Sequence, residues 1–330
     1  MTQATQVIGI GNAIVDVISH AEDTFLDHMG IEKGIMQLID RQRAEVLYAA
    51  MSDRTEAAGG SVANTIAGIG ELGLKTAFIG KVKDDALGRF YAESLAKAGT
   101  AFPNPPIDTA DAPTSRSMIF VSPDGERSMN TYLGAGADLN SKDVPPGVFE
   151  DGGLLFLEGY LFDKDDGKTA FKEASDLMHH AGGQTAITLS DPFCCDRHRE
   201  DFKTLIMDEM DITIGNHEEW LTLYETDDLS AALAAAAHVC ETVVCTHSGE
   251  PVIIIREGIR VEVPVTKVTP VDATGAGDQF AAGFLYGYAT GRTMEDAGRM
   301  GVVAAAEVIG HVGPRPATDL RALFTNAGLI

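Results

Sequence analysis

Val271-Asp272-Ala273-Thr274-Gly275-Ala276-Gly277-Asp278-Gln279-Phe280 is the stretch whose residue types and spacing can do chemistry. Before it, Val261 to Val265 alternates as a strand does. After it, Phe280, Phe284, Leu285 and Tyr288 recur at helical spacing, which predicts a strand-to-helix junction at the glycines. Small residues there let the backbone approach a ligand closely. The first amides of a helix have no internal acceptor, so the junction suits an anion, phosphate above all. Asp278 is out of place in such a pocket, because a carboxylate repels phosphate. It is therefore expected to act as a general base that takes a proton from a substrate hydroxyl. Gly275, Ala276 and Gly277 would meanwhile hold the charge growing on a transferred phosphoryl group. The same residues also suit a helix start capped by Asp after a Gly-Ala-Gly turn.

Other stretches repeat the loop-to-helix design. In Ala57-Ala58-Gly59-Gly60-Ser61-Val62-Ala63-Asn64, two glycines precede a Ser suited to an N-cap, with Asn64 one turn inside. Asp16 interrupts the apolar alternation of Ile14 to Ile18, and a carboxylate among Val and Ile must be solvated, paired or used. Asn216 and Glu219 share one face of a helix start, where they can order Mg²⁺-bound water or form a capping box. Two motifs are decoys. Gly68-Ile69-Gly70-Glu71-Leu72-Gly73 spells a dinucleotide fingerprint but falls at the end of a predicted helix and ahead of a strand. Gly167-Lys168-Thr169 ends like a phosphate loop, yet Phe162 stands where its first glycine belongs.

Asp272 to Asp278 resembles the second signature of the ribokinase, or PfkB, superfamily of small-molecule kinases, Asp-x-x-Gly-Ala-Gly-Asp. Gly59-Gly60 with Asn64 resembles its first signature, Gly-Gly-x-x-x-Asn. The resemblance implies that Asp16, Gly60 and Asn64 grip substrate hydroxyls, and that Asn216 and Glu219 serve the nucleotide and Mg²⁺. Thr246-His247-Ser248-Gly249-Glu250-Pro251 takes the place of the family's nucleotide loop, although Ser248 and Pro251 stand where glycines are usual. That makes Thr246, Ser248 and Gly249 neighbours of phosphate or ribose. Gly310 and Gly313 lie in a Gly-rich loop that flanks adenine in the family, and some members hold K⁺ nearby with Asp272 and Thr274. Glu158, after a buried strand, is placed either at the substrate or at the surface. Arg127, on a hairpin, is placed either at a phosphate or the substrate, or in solvent.

These motifs need elements to position them. Residues 6 to 11, 76 to 80, 154 to 157, 185 to 189, 212 to 214 and 242 to 245 read as strands. From residue 154 on they are continuously apolar and alternate with helices near 167 to 181, 199 to 208, 217 to 224 and 229 to 240. Buried parallel strands with covering helices follow. Residues 14 to 20 and 34 to 39, with a hairpin at 117 to 133 turning at Ser122-Pro123-Asp124-Gly125, read as a small antiparallel lid. The expected fold is α/β, a three-layer α/β/α core of one 1 to 330 domain, its lid drawn from about 12 to 40 and 112 to 134.

Charge narrows the partners. With 49 acidic against 25 basic residues the net charge is −24, which excludes nucleic acid and anionic membrane as partners. Four cysteines without zinc or disulfide spacing, and no basic-then-apolar opening, give the expectation of a cytoplasmic protein, monomer or homodimer. The resemblance implies transfer of the γ-phosphate of ATP, with Mg²⁺, to an alcohol. Ser61 stands where ribokinases proper usually carry Lys, and Thr131-Tyr132-Leu133-Gly134-Ala135-Gly136 with Gly11-Asn12-Ala13 is similar to the adenosine kinases. A ribonucleoside is therefore the expected acceptor, and a free sugar such as ribose or fructose the alternative. A nicotinamide dehydrogenase would need residues 68 to 73 to open a helix. A silent nucleotide sensor would lack the base at Asp278.

Overall fold

A computed structural model describes residues 6–108 and 111–330. The larger sheet has nine strands in the spatial order Ile259–Val263, Glu250–Arg256, Thr242–His247, Ile212–Asn216, Gln184–Thr188, Leu154–Glu158, Gln6–Ile10, Lys75–Ile79 and Thr100–Ala101. All neighbours pair parallel except the last two strands at the first-named edge, which run antiparallel. Alternate residues of one strand enter opposite layers. Val7 and Phe156 join the core under the helices Ser61–Glu71, Ala276–Ala289 and Met294–Val308. Ile8, Ile10, Leu155 and Leu157 join the core under Asp165–His180, Arg199–Glu209, His217–Tyr224 and Leu229–Val239. A strand buried on both faces has no polar side to show, which is why these segments read as unbroken apolar runs. The α/β/α core and the helices expected between residues 165 and 240 are present.

A second sheet of five strands runs in the order Met36–Leu38, Arg127–Tyr132, Ser115–Val121, Ile14–His20, Thr55–Gly59. Two of its neighbouring pairs are antiparallel. Ile14–His20 with Ser115–Val121 and Met36–Leu38 with Arg127–Tyr132 are parallel. Segments about a hundred residues apart have chain enough to cross over, whereas the hairpin of Ser115–Val121 with Arg127–Tyr132 must reverse. Thr55–Gly59 was not legible as a strand, because Thr-Glu-Ala-Ala-Gly carries little β preference and is held by pairing with Ile14 to Ile18. The outer face of this sheet puts Val15, Val17, Met118 and Phe120 against the chain's own helices through Leu26, Ala44 and Leu47. Its inner face carries the row Ala57, Asp16, Ser117, Thr131, Leu38 across all five strands.

Two local expectations are corrected. The strand before the signature is Ile259–Val263, not Val261 to Val265, and an irregular segment from 264 to 275 separates it from the helix. Pro264 and Pro270 lie in that segment and cannot donate to a ladder. Gly60, with φ of 97°, is the N-cap of Ser61–Glu71, so Ser61 is the first helical residue and not the cap. Both decoy motifs stay decoys. Gly68 and Gly70 lie inside that helix, and Gly167 lies inside Asp165–His180. Among the described residues no helix is long and apolar enough to cross a membrane.

Candidate active site

The helices Ser61–Glu71 and Ala276–Ala289 pack so closely that a Cβ on Gly68 would stand 2.5 Å from Gln279 Oε1. Their N-terminal ends therefore meet. Ser61 and Asn64, three apart, lie on one face of the first helix and both point at Asp278. Ser61 Oγ donates to Asp278 Oδ1 at 2.7 Å, and Asn64 Nδ2 donates to Oδ2 at 3.0 Å. Thr65 Oγ1 donates to the Asp278 carbonyl at 3.0 Å, tying the two helix starts together. Burial pushes the Asp278 carboxyl up to about 6, against the pull of Asn64, Ser61 and the nearby charge of Arg315. Asp278 is not the cap of its helix. Gly275, at φ 79°, is, and a Cβ there would stand 2.5 Å from Pro314.

Ala276 N–H donates to the Ala273 carbonyl at 3.2 Å, so it is not free for an anion as expected. The amides of Gly277 and Asp278 have no acceptor among the described residues, and a Cβ on Gly277 would meet nothing within 4 Å. Two amides thus remain unpaired beside a half-buried carboxylate. The space beside them is a cleft of about 1500 Å³ between the two sheets. Asp16, Gly60, Asn64, Gly275, Gly277 and Asp278 all border it.

Asp16 reaches the cleft from the second sheet. Its carboxyl is pushed up to about 7, first by burial and also by Asp278, while Arg127 and Arg315 pull it down. A Cβ on Gly59 would sit 2.5 Å from Asp16 Oδ2, so a larger residue there would displace the carboxyl. Ser117 and Thr131 continue its row, their hydroxyls 2.9 Å apart. Around this polar row stand Ile14, Ile35, Met36, Leu38, Met129 and Leu133, all facing the cleft.

Asn64 was expected at substrate hydroxyls, yet its amide is committed within the protein. Nδ2 serves Asp278, and Oδ1 accepts from Arg315 Nε at 3.2 Å. Glu158 is neither at the surface nor free. It is 1% exposed; Oε1 accepts from Asn12 N at 3.1 Å and Nδ2 at 2.8 Å, and Oε2 from Val62 N at 3.0 Å. It anchors the loop after the first strand to a helix start, with its carboxyl raised to about 7 by burial. Arg127 was placed at a phosphate, at the substrate or in solvent. It is buried instead, with Nη2 2.7 Å from Asp272 Oδ2.

On the nucleotide side, Asn216 and Glu219 form the capping box. Glu219 Oε2 accepts from Asn216 N at 2.8 Å and Oε1 from Nδ2 at 2.7 Å, while Asn216 Oδ1 accepts from Glu219 N at 2.9 Å. Burial raises the Glu219 carboxyl to about 7. Both residues border the cleft, and so do Thr246, Ser248 and Gly249. Ser248-Gly249 is a two-residue hairpin turn between antiparallel strands, with Ser248 at φ 46°, in the left-handed region that the family's usual glycine would adopt more easily. Gly310 and Gly313 do not border the cleft; Ala305, Ala306, Ile309 and Pro314 do. Gly313 N instead donates to Asp272 Oδ2 at 2.8 Å, and Asp272 Oδ1 accepts from Thr274 N at 3.0 Å. These bonds hold the Asp272 carboxyl below its usual range against burial. Among the described residues no three His, Cys, Asp or Glu gather as a metal site. A divalent ion would depend on phosphate oxygens, with Glu219 at the edge.

Two site residues escaped the sequence reading. Ser61 was assigned to capping, although a Ser and an Asn three apart already implied a shared target. Arg315 stood in Gly313-Pro314-Arg315-Pro316, where only the glycines and prolines carried a local signal.

The chain as a whole is similar to known kinases. Residues 31–320 match the family model described as pfkB family carbohydrate kinase. The chain is similar to a probable sugar kinase from Rhizobium etli CFN 42, at 44% identity over all of both chains with a TM-score of 0.92. It is equally similar to the adenosine kinase of Sinorhizobium meliloti, at 44% identity over 98% of this chain and 99% of that one, with a TM-score of 0.90. A 5-dehydro-2-deoxygluconokinase of Bacillus anthracis is 28% identical over 77% of this chain and 80% of its own length. The chain belongs to the PfkB family of carbohydrate kinases and is a kinase of sugars or nucleosides.

Proposed function

We propose that this kinase transfers the γ-phosphate of ATP to the 5′-hydroxyl of a ribonucleoside, adenosine first. The observation that carries the reading is the wall of Ile14, Ile35, Met36, Leu38, Met129 and Leu133 beside Asp16. A free sugar offers such a wall little, whereas a base offers a flat apolar face and its ribose a diol for the carboxylate. The two relatives at 44% identity are named for a sugar and a nucleoside, so identity alone does not rank them.

Asp278 takes the proton of the attacking hydroxyl, and the Gly277 and Asp278 amides receive charge on the transferring phosphoryl group. Asp16 orients the acceptor. Asn216, Thr246, Ser248 and Gly249 border the triphosphate and ribose of ATP. Mg²⁺ carried in with the triphosphate neutralises phosphate charge, with Glu219 as the carboxylate on that side. The five-stranded sheet acts as a lid that excludes water, so that ATP is not hydrolysed. Four buried free thiols fit a reducing, cytoplasmic setting. Coupled ADP release across adenosine, guanosine, inosine, ribose and fructose tests the acceptor. Adenosine is expected to give the highest kcat/KM, and a sugar that outpaces every nucleoside overturns the assignment.

A further inference from the structure

Arg315 is half-buried, in a loop that the fold fastens to Asp278's helix. Gln279, next to Asp278 and fully buried, donates through Nε2 both to the Asn64 carbonyl at 3.2 Å and to the Pro314 carbonyl at 3.1 Å. One side chain thereby clamps the loop bearing Arg315 onto the helix bearing Asn64. Gly275 permits the approach, because any side chain there would strike Pro314. The guanidinium is then held where Nε reaches Asn64 Oδ1 at 3.2 Å, and its Nη2 is enclosed without a hydrogen-bond partner.

An Asn amide can face a carboxylate with either end, and only one end is attractive. A guanidinium has donors and no acceptor, so it fixes the Asn64 oxygen toward itself and turns Nδ2 to Asp278 Oδ2. We propose that Arg315 is a positioning residue for phosphoryl transfer, holding Asn64 so that the amide nitrogen orients the Asp278 carboxylate toward the acceptor hydroxyl. The inference rests on Asp278 being the base. With Ser61 fixing Oδ1 and Asn64 fixing Oδ2, the carboxylate has one orientation, and its remaining lone pairs are those open to the cleft.

The charge of Arg315 matters as well. The groups facing Asp278 are Ser61 and Asn64 from one helix, Asp16 from the second sheet, Glu158 and Tyr160 from a strand end, and Arg315 from the loop. Of these only Arg315 is cationic, and it pulls both Asp278 and Asp16 down. Without it Arg127 would still offset the charge of Asp16, no cation would offset that of Asp278, and Asp278 would be less ionised at neutral pH.

The test uses the full-length enzyme with ATP and its best acceptor, comparing Arg315→Met, Arg315→Lys, Asn64→Leu and the double variant. Arg315→Met is expected to lower kcat tenfold or more, with the KM for ATP changed less than twofold. The acid limb of its pH profile is expected to move to higher pH. Arg315→Lys keeps the charge and should keep the limb in place. At pH 8, above the acid limb where the charge of Arg315 is felt, Arg315 acts through Asn64, so the double variant should turn over no more slowly than Asn64→Leu alone. A twofold or smaller loss of kcat with an unmoved limb, or fully multiplicative losses in the double variant, overturns the proposal. If Arg315→Met does not fold, Arg315→Gln, uncharged but able to donate, decides by the same limb shift. Near-normal turnover of Asp278→Asn would instead remove the base itself, a failure of the underlying reading and separate from that of Arg315.

Discussion

Arg127 on the second sheet lies 2.7 Å from Asp272 of the signature loop, both side chains less than a tenth exposed. Arg127 Nη1 also approaches Thr274 Oγ1 at 3.5 Å. The same Asp272 carboxylate takes amides from Thr274 and Gly313, so one side chain joins the second sheet, the signature and the C-terminal loop. The Arg127 approach is a charge contact without the N–H alignment of a hydrogen bond, as Nη2 has no aligned acceptor.

Removing one partner of a buried pair costs about 3–5 kcal/mol, and Asp272 keeps two amides, which argues for the lower end. Arg127→Met is expected to lower stability by that amount in urea denaturation. Adding Asp272→Asn to it should restore part of the loss. Strictly additive effects would mean that the two side chains are not coupled.

Asp278→Asn keeps the shape and removes the base. Turnover should fall by roughly 10²- to 10⁴-fold while ATP still binds by titration calorimetry. A variant that keeps near-normal turnover takes Asp278 out of the mechanism.

The base must be ionised to work, so kcat/KM should decline as pH falls. Burial sets Asp278 at about 6 and Asp16 at about 7, and because the two face each other their apparent values belong to the pair. The decline is expected between pH 7 and 6. A profile flat from pH 8 to 5 contradicts it.

Asp16→Asn should act on the acceptor alone. A hydrogen bond to a charged group contributes about 1.5–3 kcal/mol, so kcat/KM for the nucleoside should drop roughly 10- to 100-fold with the KM for ATP unchanged. Equal effects on both substrates would place Asp16 in the general support of the cleft.

Stability has its own pH dependence. Asp16, Glu158, Glu219 and Asp278 have folded values raised to about 7, 7, 7 and 6 from ordinary values near 4. The folded protein therefore binds more protons than the unfolded chain in that interval. The resulting stabilisation is full below the unfolded values and is lost as pH rises through 6 to 7. The ligand-free protein should melt at a higher temperature at pH 5.5 than at pH 8. Glu158→Gln should flatten part of the difference, since it removes one of the four ionisations.

Much of this protein is determined locally. Continuous apolar runs alternating with helical patterns required a sheet covered on both faces, because a strand with no polar side can be solvated on neither. Glycines ahead of Asp278 and Asn64 marked backbone turns that side chains do not tolerate, and Gly60 at φ 97° and Gly275 at φ 79° bear this out. Asn216 with Glu219, four consecutive positions, carried their own partner within one turn, and the capping box formed.

What only the tertiary structure decided is which polar group meets which over long separations. Arg315 reaches Asn64 across 251 positions, and Ser61 reaches Asp278 across 217. No local preference encodes such a pair, because each residue alone is equally suited to a cap, a loop or the surface. Glu158 makes the point most plainly. It follows a strand where ligands commonly bind, yet two backbone amides and an Asn side chain 96 and 146 positions away claim its oxygens. Burial then makes those bonds obligatory, because an unpaired carboxylate or amide inside the fold is far costlier than one in water.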